Sequence, residues 1–167
     1  INDAIKDVGN LINDYPKESK LYNINGVCYA GIGDFDNAVK NYKKAITLNN
    51  NYAEAHFNLG NTYQDLGQFN DSILSYQKAI TLNPDYHEAH NNLGGSFLDL
   101  YREDDAIQSY KNALKIKPDY LEVKHMLAAL MGETVNAPTA PREYVQNLFD
   151  EYASYFEDSL INKLEYK

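Results

Sequence analysis

No tryptophan occurs among the 167 residues, and the single cysteine, Cys28, has no partner for an internal disulfide. Disulfide cross-links within the chain are therefore excluded, and nothing points to an oxidising compartment. No apolar run approaches the roughly 18 residues of a membrane span, and no signal-peptide pattern is visible. The chain opens at Ile1 instead of Met, as a trimmed chain would, and a cytoplasmic location is the expectation. Positive charge is scarce: 15 Lys and Arg stand against 24 Asp and Glu, a net charge of −9. That balance disfavours nucleic acid and anionic membranes as partners and favours a basic protein or peptide. No strand pattern leads into a Gly-rich turn, so nothing here cradles a nucleotide-like cofactor, and no cofactor is expected.

What is present is repetition. Gly26, Gly60 and Gly94 recur every 34 residues, as do Tyr29, Tyr63 and Phe97, then Tyr42, Tyr76 and Tyr110. Ala45, Ala79 and Ala113 keep the same period, as do Tyr52, Tyr86 and Tyr120, which explains many of the 15 tyrosines. A fixed period in this range marks a stacked repeat whose units bury their apolar faces only against their neighbours. Such arrays present surfaces and seldom perform chemistry, so no enzyme is expected.

The copy over 53–86 shows what one unit is. Ala55, His56, Leu59, Tyr63 and Leu66 fall at helical spacing, and so do Phe69, Ile73, Tyr76, Ala79, Ile80 and Leu82. Gly67 supplies the left-handed residue that ends the first helix, and Pro84 stops the second. Each copy is thus a helix–turn–helix pair. In the third copy Tyr101 and Glu103 stand where Gly67 and Phe69 stood. A non-glycine in a left-handed turn costs about 1 kcal/mol, so that turn is expected to be rebuilt.

Leu59, Gly60, Tyr63, Ser72, Tyr76, Ala79 and Pro84 resemble the signature of the tetratricopeptide repeat. Leu93, Gly94, Phe97, Ala106, Tyr110, Ala113 and Pro118 repeat it. The copy over 19–52 is looser, with Asn25 in place of Leu and Asn50 in place of Pro. The resemblance implies an all-α, right-handed superhelical solenoid over 1–132. It would comprise a half repeat at 2–18, copies at 19–52, 53–86 and 87–120, and a half repeat at 121–132. The face of the N-terminal half repeat, Ile5, Val8, Leu11 and Ile12, would lack its covering helix, making a homodimer through unfinished repeat ends possible.

Residues 133–142, rich in Pro and Thr, read as a linker, and 143–167 as a further amphipathic helical segment. Its stripe of Val145, Leu148, Phe149, Tyr152, Phe156, Leu160 and Leu164 would cap the last repeat. The same segment, with Tyr144, Asp150 and Tyr166, is similar to the stretch that joins tetratricopeptide arrays to an S-adenosylmethionine-dependent methyltransferase domain in some bacterial proteins. That resemblance implies an alternative role, the substrate-recruiting part of a methyltransferase whose catalytic domain is not in this chain.

The family's concave groove is lined by the first helix of each pair, which implies a peptide-binding face here. Its rows are Lys20, Glu54, Glu88 and Glu122; Asn23, Phe57, Asn91 and His125; Ile24, Asn58, Asn92 and Met126; and Gly31, Asp65 and Asp99, with Asn61 between them. Asparagine amides donate and accept at once, so such a ladder can hold an extended backbone whatever its side chains. The acidic rows would favour Lys or Arg on that peptide, so the expected function is a protein–protein interaction scaffold that binds an extended polar or basic peptide. A related groove grips the terminal carboxylate of heat-shock chaperones with Lys, Arg and Asn. Here Asn23, Val27, Asn58, Glu88 and Asn92 occupy those places; the cations are gone and Glu88 would repel a carboxylate.

Other candidates give way to packing. His87 and His90 lie three apart, but two ligands make a weak metal site, and His90 takes the repeat place of His56, where a large packing residue belongs. No metal is expected. Cys28 shares its place with Thr62 and Ser96 and reads as a buried, inert thiol.

Overall fold

A computed structural model describes residues 2–132. The expected linker at 133–142 and C-terminal segment at 143–167 lie outside the described residues. Eight α-helices follow one another: α1 (Asn2–Asp14), α2 (Ser19–Gly31), α3 (Phe35–Leu48), α4 (Ala53–Asp65), α5 (Phe69–Leu82), α6 (His87–Asp99), α7 (Glu103–Ile116) and α8 (Leu121–Leu130). No strand occurs among the described residues, and no described helix is long and apolar enough to cross a membrane. The expected all-α fold of paired helices is what the chain adopts.

The pairs α2–α3, α4–α5 and α6–α7 are each closed by one repeated contact. The ring of Tyr76 lies on the backbone of Gly60, so close that a Cβ there would sit 2.6 Å from the ring edge; Tyr42 on Gly26 and Tyr110 on Gly94 repeat the geometry at 2.6 and 2.7 Å. Only glycine leaves room for a large aromatic at the centre of each hairpin, and Tyr76 is consequently 0 % exposed. Fully buried alanines, Ala45, Ala79 and Ala113 among them, let the remaining helix surfaces approach as closely.

Each hairpin then stacks on the next. Ile73 and Tyr76 join Leu93, Phe97, Tyr110 and Val123 in one apolar cluster, and Ala38, Tyr42 and Leu59 form a smaller one. Burying each such aliphatic side chain contributes ~1.5–3 kcal/mol, which no single hairpin can gather alone. Polar groups also cross the seam: the Ser72 and Ser96 hydroxyls, both fully buried, meet at 2.8 Å. The first helices of successive pairs, α2, α4 and α6, touch one another directly, whereas the second helices make no comparable contact. The array is therefore tighter on the first-helix side, which is the inner face.

The turn at Tyr101 is not rebuilt. Tyr101 takes φ +58°, beside +77° at Gly33 and +69° at Gly67. Its hydrogen bonds are those of the glycine turns: Tyr101 N–H to Leu98 O and Arg102 N–H to Phe97 O, both 2.9 Å, as Gly67 N–H to Gln64 O and Gln68 N–H to Tyr63 O. The cause is downstream. Gly94 and Tyr110 must meet, which fixes the turn length and shape, and Arg102 pins it by lying over the Phe97 ring and pairing with Asp105 at 2.7 Å.

On α1, Ile5, Val8 and Ile12 are half-buried and Leu11 is exposed. Cys28 is half-buried, less enclosed than expected and less than Thr62 and Ser96 in the same repeat place.

Candidate functional site

The inner face is built by α2, α4, α6 and α8, whose equivalent positions line up in rows because the helices are stacked a fixed repeat apart. The asparagines do not stand as independent rungs. Asn58 Nδ2 donates to Asn23 Oδ1 at 3.1 Å across one seam, and Asn92 Nδ2 donates to Asn61 Oδ1 at 2.9 Å across the next. Tyr76 Oη reaches Asn61 Oδ1 at 2.7 Å and Gln64 Oε1 at 2.9 Å, its one proton serving either acceptor. Asn91 Nδ2 donates to Asn92 Oδ1 at 3.1 Å.

Asn23, expected to face a ligand, is only 2 % exposed; its amide donates to Glu54 Oε1 at 3.2 Å and to Tyr52 Oη at 3.3 Å. It belongs to the seam between copies, where α2 touches α4. Phe57 is likewise half-buried, its ring 4.7 Å from that of Tyr86 and 5.9 Å from that of Tyr76. What the ladder leaves for a ligand, among the described residues, is the Asn61 NH2, the Asn58 carbonyl and the Asn91 carbonyl, none of which has a side-chain partner.

The acidic rows are in the open. Glu54, Asp65, Asp99 and Glu122 are exposed and Glu88 is half-buried, with His125 exposed beside them. Among the described residues no lysine or arginine pairs with these carboxylates, and Glu88 lies 3.1 Å from His87 Nδ1. Asp65 and Asp99 close α4 and α6, where the helix dipole disfavours a carboxylate. Local stability would not place acids there. Burial, together with the charges of Glu54 and Glu88, pushes the Tyr86 hydroxyl up to about 12, so this tyrosine stays a neutral donor at the groove wall.

Tyr52, Tyr86 and Gln64 belong to the face but are not among the residues expected to line it. The signal for the two tyrosines was the recurrence of Tyr52, Tyr86 and Tyr120, which reads as core spacing alone; Gln64 recurs in no other copy and gave none. His90 packs: it is 9 % exposed, with Nε2 3.1 Å from Pro84 O, while the His87 ring lies edge-on to Tyr120. No group of three or more metal-ligating side chains occurs among the described residues.

Three family models match, described as TPR repeat over residues 29–67 and as Tetratricopeptide repeat over 53–86 and 87–120. Together they run from 29 to 120, more than half of the chain. No curated protein matches. Among solved structures, MamA superposes with TM-score 0.72 at 24% identity, covering 96% of this chain and 87% of that one. The first TPR of Spaghetti (RPAP3), bound to the HSP90 peptide SRMEEVD, gives 0.67 at 21%, covering 69% and 91%. The Arabidopsis OM64 TPR domain gives 0.66 at 22%, covering 69% and 95%. At these identities the likeness to the solved structures is one of fold. The repeated helix pair, its glycine–tyrosine closure and the family matches agree: the chain belongs to the tetratricopeptide repeat family.

Proposed function

We propose that the chain is a protein-interaction scaffold whose inner face holds an extended, basic peptide. The observation that carries this reading is the set of exposed carboxylates without cationic neighbours, two of them at helix ends that disfavour them. A peptide running along the face would meet Glu54, Asp65, Glu88, Asp99 and Glu122 with its Lys or Arg side chains, and the free Asn61 NH2 and Asn58 carbonyl with its backbone. The peptide in the RPAP3 structure ends in two glutamates, valine and aspartate. The charge of this groove is opposed to such a ligand, which supports a different specificity on the same fold. The groove would do recognition, not catalysis, and serves equally a free-standing scaffold or the recruiting arm of a methyltransferase.

The test is fluorescence anisotropy with a labelled unstructured Lys/Ser peptide and its Glu/Ser counterpart. The Lys/Ser peptide should bind more tightly, and more weakly as salt rises. Asp65→Lys with Asp99→Lys should weaken it about threefold to tenfold. The same substitutions remove an unfavourable dipole contact, so the fold should be as stable or more so. Equal binding of both peptides, or binding indifferent to the substitutions, overturns the reading.

A further inference from the structure

A cavity of about 810 Å³ opens on the other side of α2, flanked by α1 and α3. Asn25, part of its lining, is two residues from Asn23 and so about 200° away around the helix. The cavity is remote from the groove, and nothing in the peptide-binding reading uses it.

Its walls depart from the repeat at the positions that create space and sign of charge. Where the next two copies place the core residues Leu59 and Leu93, this one places Asn25; where they place Asp71 and Asp105, it places Asn37. Gly9 holds the repeat place of Lys43, and a Cβ built on it meets nothing within 4 Å. Space stands where a side chain would otherwise lie. Lys6, Lys40, Lys43 and Lys44 line this space and no acidic residue does, on a chain whose net charge is −9. Among the described residues none of the four makes an ion pair. Lys43 and Lys44 rest instead over the Tyr63 and Tyr22 rings, at 5.7 and 6.0 Å.

A second, independent observation comes from the asparagines. Asn25 is 8 % exposed and donates from Nδ2 to Asn41 Oδ1 at 3.0 Å, and Asn41 donates to Asn37 O at 2.8 Å. Asn25 Oδ1 is left buried with no partner. Native proteins seldom leave such an acceptor unpaired, and an apolar residue would have been the stable choice here.

We propose that this cavity binds a small phosphorylated molecule that carries hydroxyl groups, a nucleotide or a sugar phosphate. The lysines, as mobile point charges, take the phosphate, and the ligand hydroxyls meet the amides of Asn10, Asn13 and Asn37 on the cavity wall, with Tyr29 against the ring. The volume lies within the range of small-molecule sites, about 300–1,000 Å³. A compact anion fits this charge pattern better than a long acidic chain, because the cavity is a local positive basin on an acidic surface that repels an extended polyanion.

Isothermal titration calorimetry of the full chain with ADP, glucose 6-phosphate and inorganic pyrophosphate tests this. ADP or glucose 6-phosphate should bind one to one with Kd of about 1 mM or below, and which of the two binds identifies the ligand class. Pyrophosphate, lacking hydroxyls, should bind at least about tenfold more weakly. Lys40→Glu with Lys43→Glu, both at exposed positions, should weaken binding about tenfold or more with far-UV circular dichroism unchanged. Gly9→Leu, which fills the space and favours the helix, should abolish it with far-UV circular dichroism unchanged. No heat with either organic phosphate at about 10 mM, pyrophosphate binding as tightly, or binding untouched by these variants overturns the proposal. So does tighter binding of a hexaglutamate peptide, which would make the cavity a docking point for an acidic protein segment.

Discussion

Tyr101→Gly should stabilise the protein, although it removes a whole aromatic side chain. Tyr101 is held at φ +58° and is 93 % exposed, so the ring contributes almost no burial while the backbone carries the left-handed penalty. That penalty is about 1–2 kcal/mol for an L-residue, and glycine escapes it. Against it stands the extra freedom glycine gives the unfolded chain, about 0.5–1 kcal/mol. The net expectation is a gain of about 0.7 kcal/mol at the middle of both ranges and about 1.5 kcal/mol at most, or some 2–3 °C in Tm at the midpoint for a chain of this size. Urea denaturation followed by far-UV circular dichroism should show a higher midpoint at an unchanged slope, the mark of a stability change without altered compactness. The converse variant, Gly67→Tyr, places the same strain in the preceding turn, where φ is +69°, and should lose a similar amount. Lower stability of Tyr101→Gly would refute the argument, since it would mean that the ring makes up for the strain through contacts its exposure denies.

Gly60→Ala should destabilise by about 1–3 kcal/mol, because the new methyl would stand 2.6 Å from the Tyr76 ring, which has no exposed side toward which to move; thermal melts that match the parent chain would sink the close-packing account. Burial pushes the Tyr42 hydroxyl up to about 12. The folded chain thus holds this proton more tightly than the unfolded one. The associated stability is fully present below pH 10 and is lost as pH rises through 12, at about 1.4 kcal/mol per pH unit. Tyr42→Phe should flatten that alkaline decline in stability-versus-pH curves, and an unchanged slope would show that Tyr42 ionises as freely folded as unfolded.

The helix pairs were legible because they rest on local spacing: a 34-residue period, apolar positions at helical intervals, and glycines where a turn or a ring needs them. The Tyr101 turn was misread for a reason of the same kind. Local propensity argued for a rebuilt turn, but the long-range fit of Tyr110 on Gly94 outweighs a cost of about 1–2 kcal/mol. The acidic rows were visible as rows. The engagement of Asn23 and Asn58 with each other was not, because polarity in a sequence does not say whether an amide spends its hydrogen bonds on a neighbouring repeat or keeps them for a ligand. Asn25 was visible only as a departure from leucine; the cavity it lines needs three helices in place to exist.

The closure of each hairpin by a tyrosine on a glycine bears on the order in which the chain acquires structure as it is made. Those partners are separated by 16 residues, and the Tyr76–Asn61 bond by 15. The contacts that join one hairpin to the next span more: 24 for Ser72 with Ser96, 31 for Asn92 with Asn61, 35 for Asn58 with Asn23. Helices form within about a microsecond, while a ribosome adds only about 5–20 residues each second. Every hairpin is thus complete in sequence, with time to sample its own closure, about a second or more before the surface that will dock on it emerges. Growth of the array is accordingly vectorial, one unit templating the next from the N-terminal end. Hydrogen exchange on ribosome-arrested chains should show α4 and α5 protected before α6 is out, and simultaneous protection of all three would contradict that order.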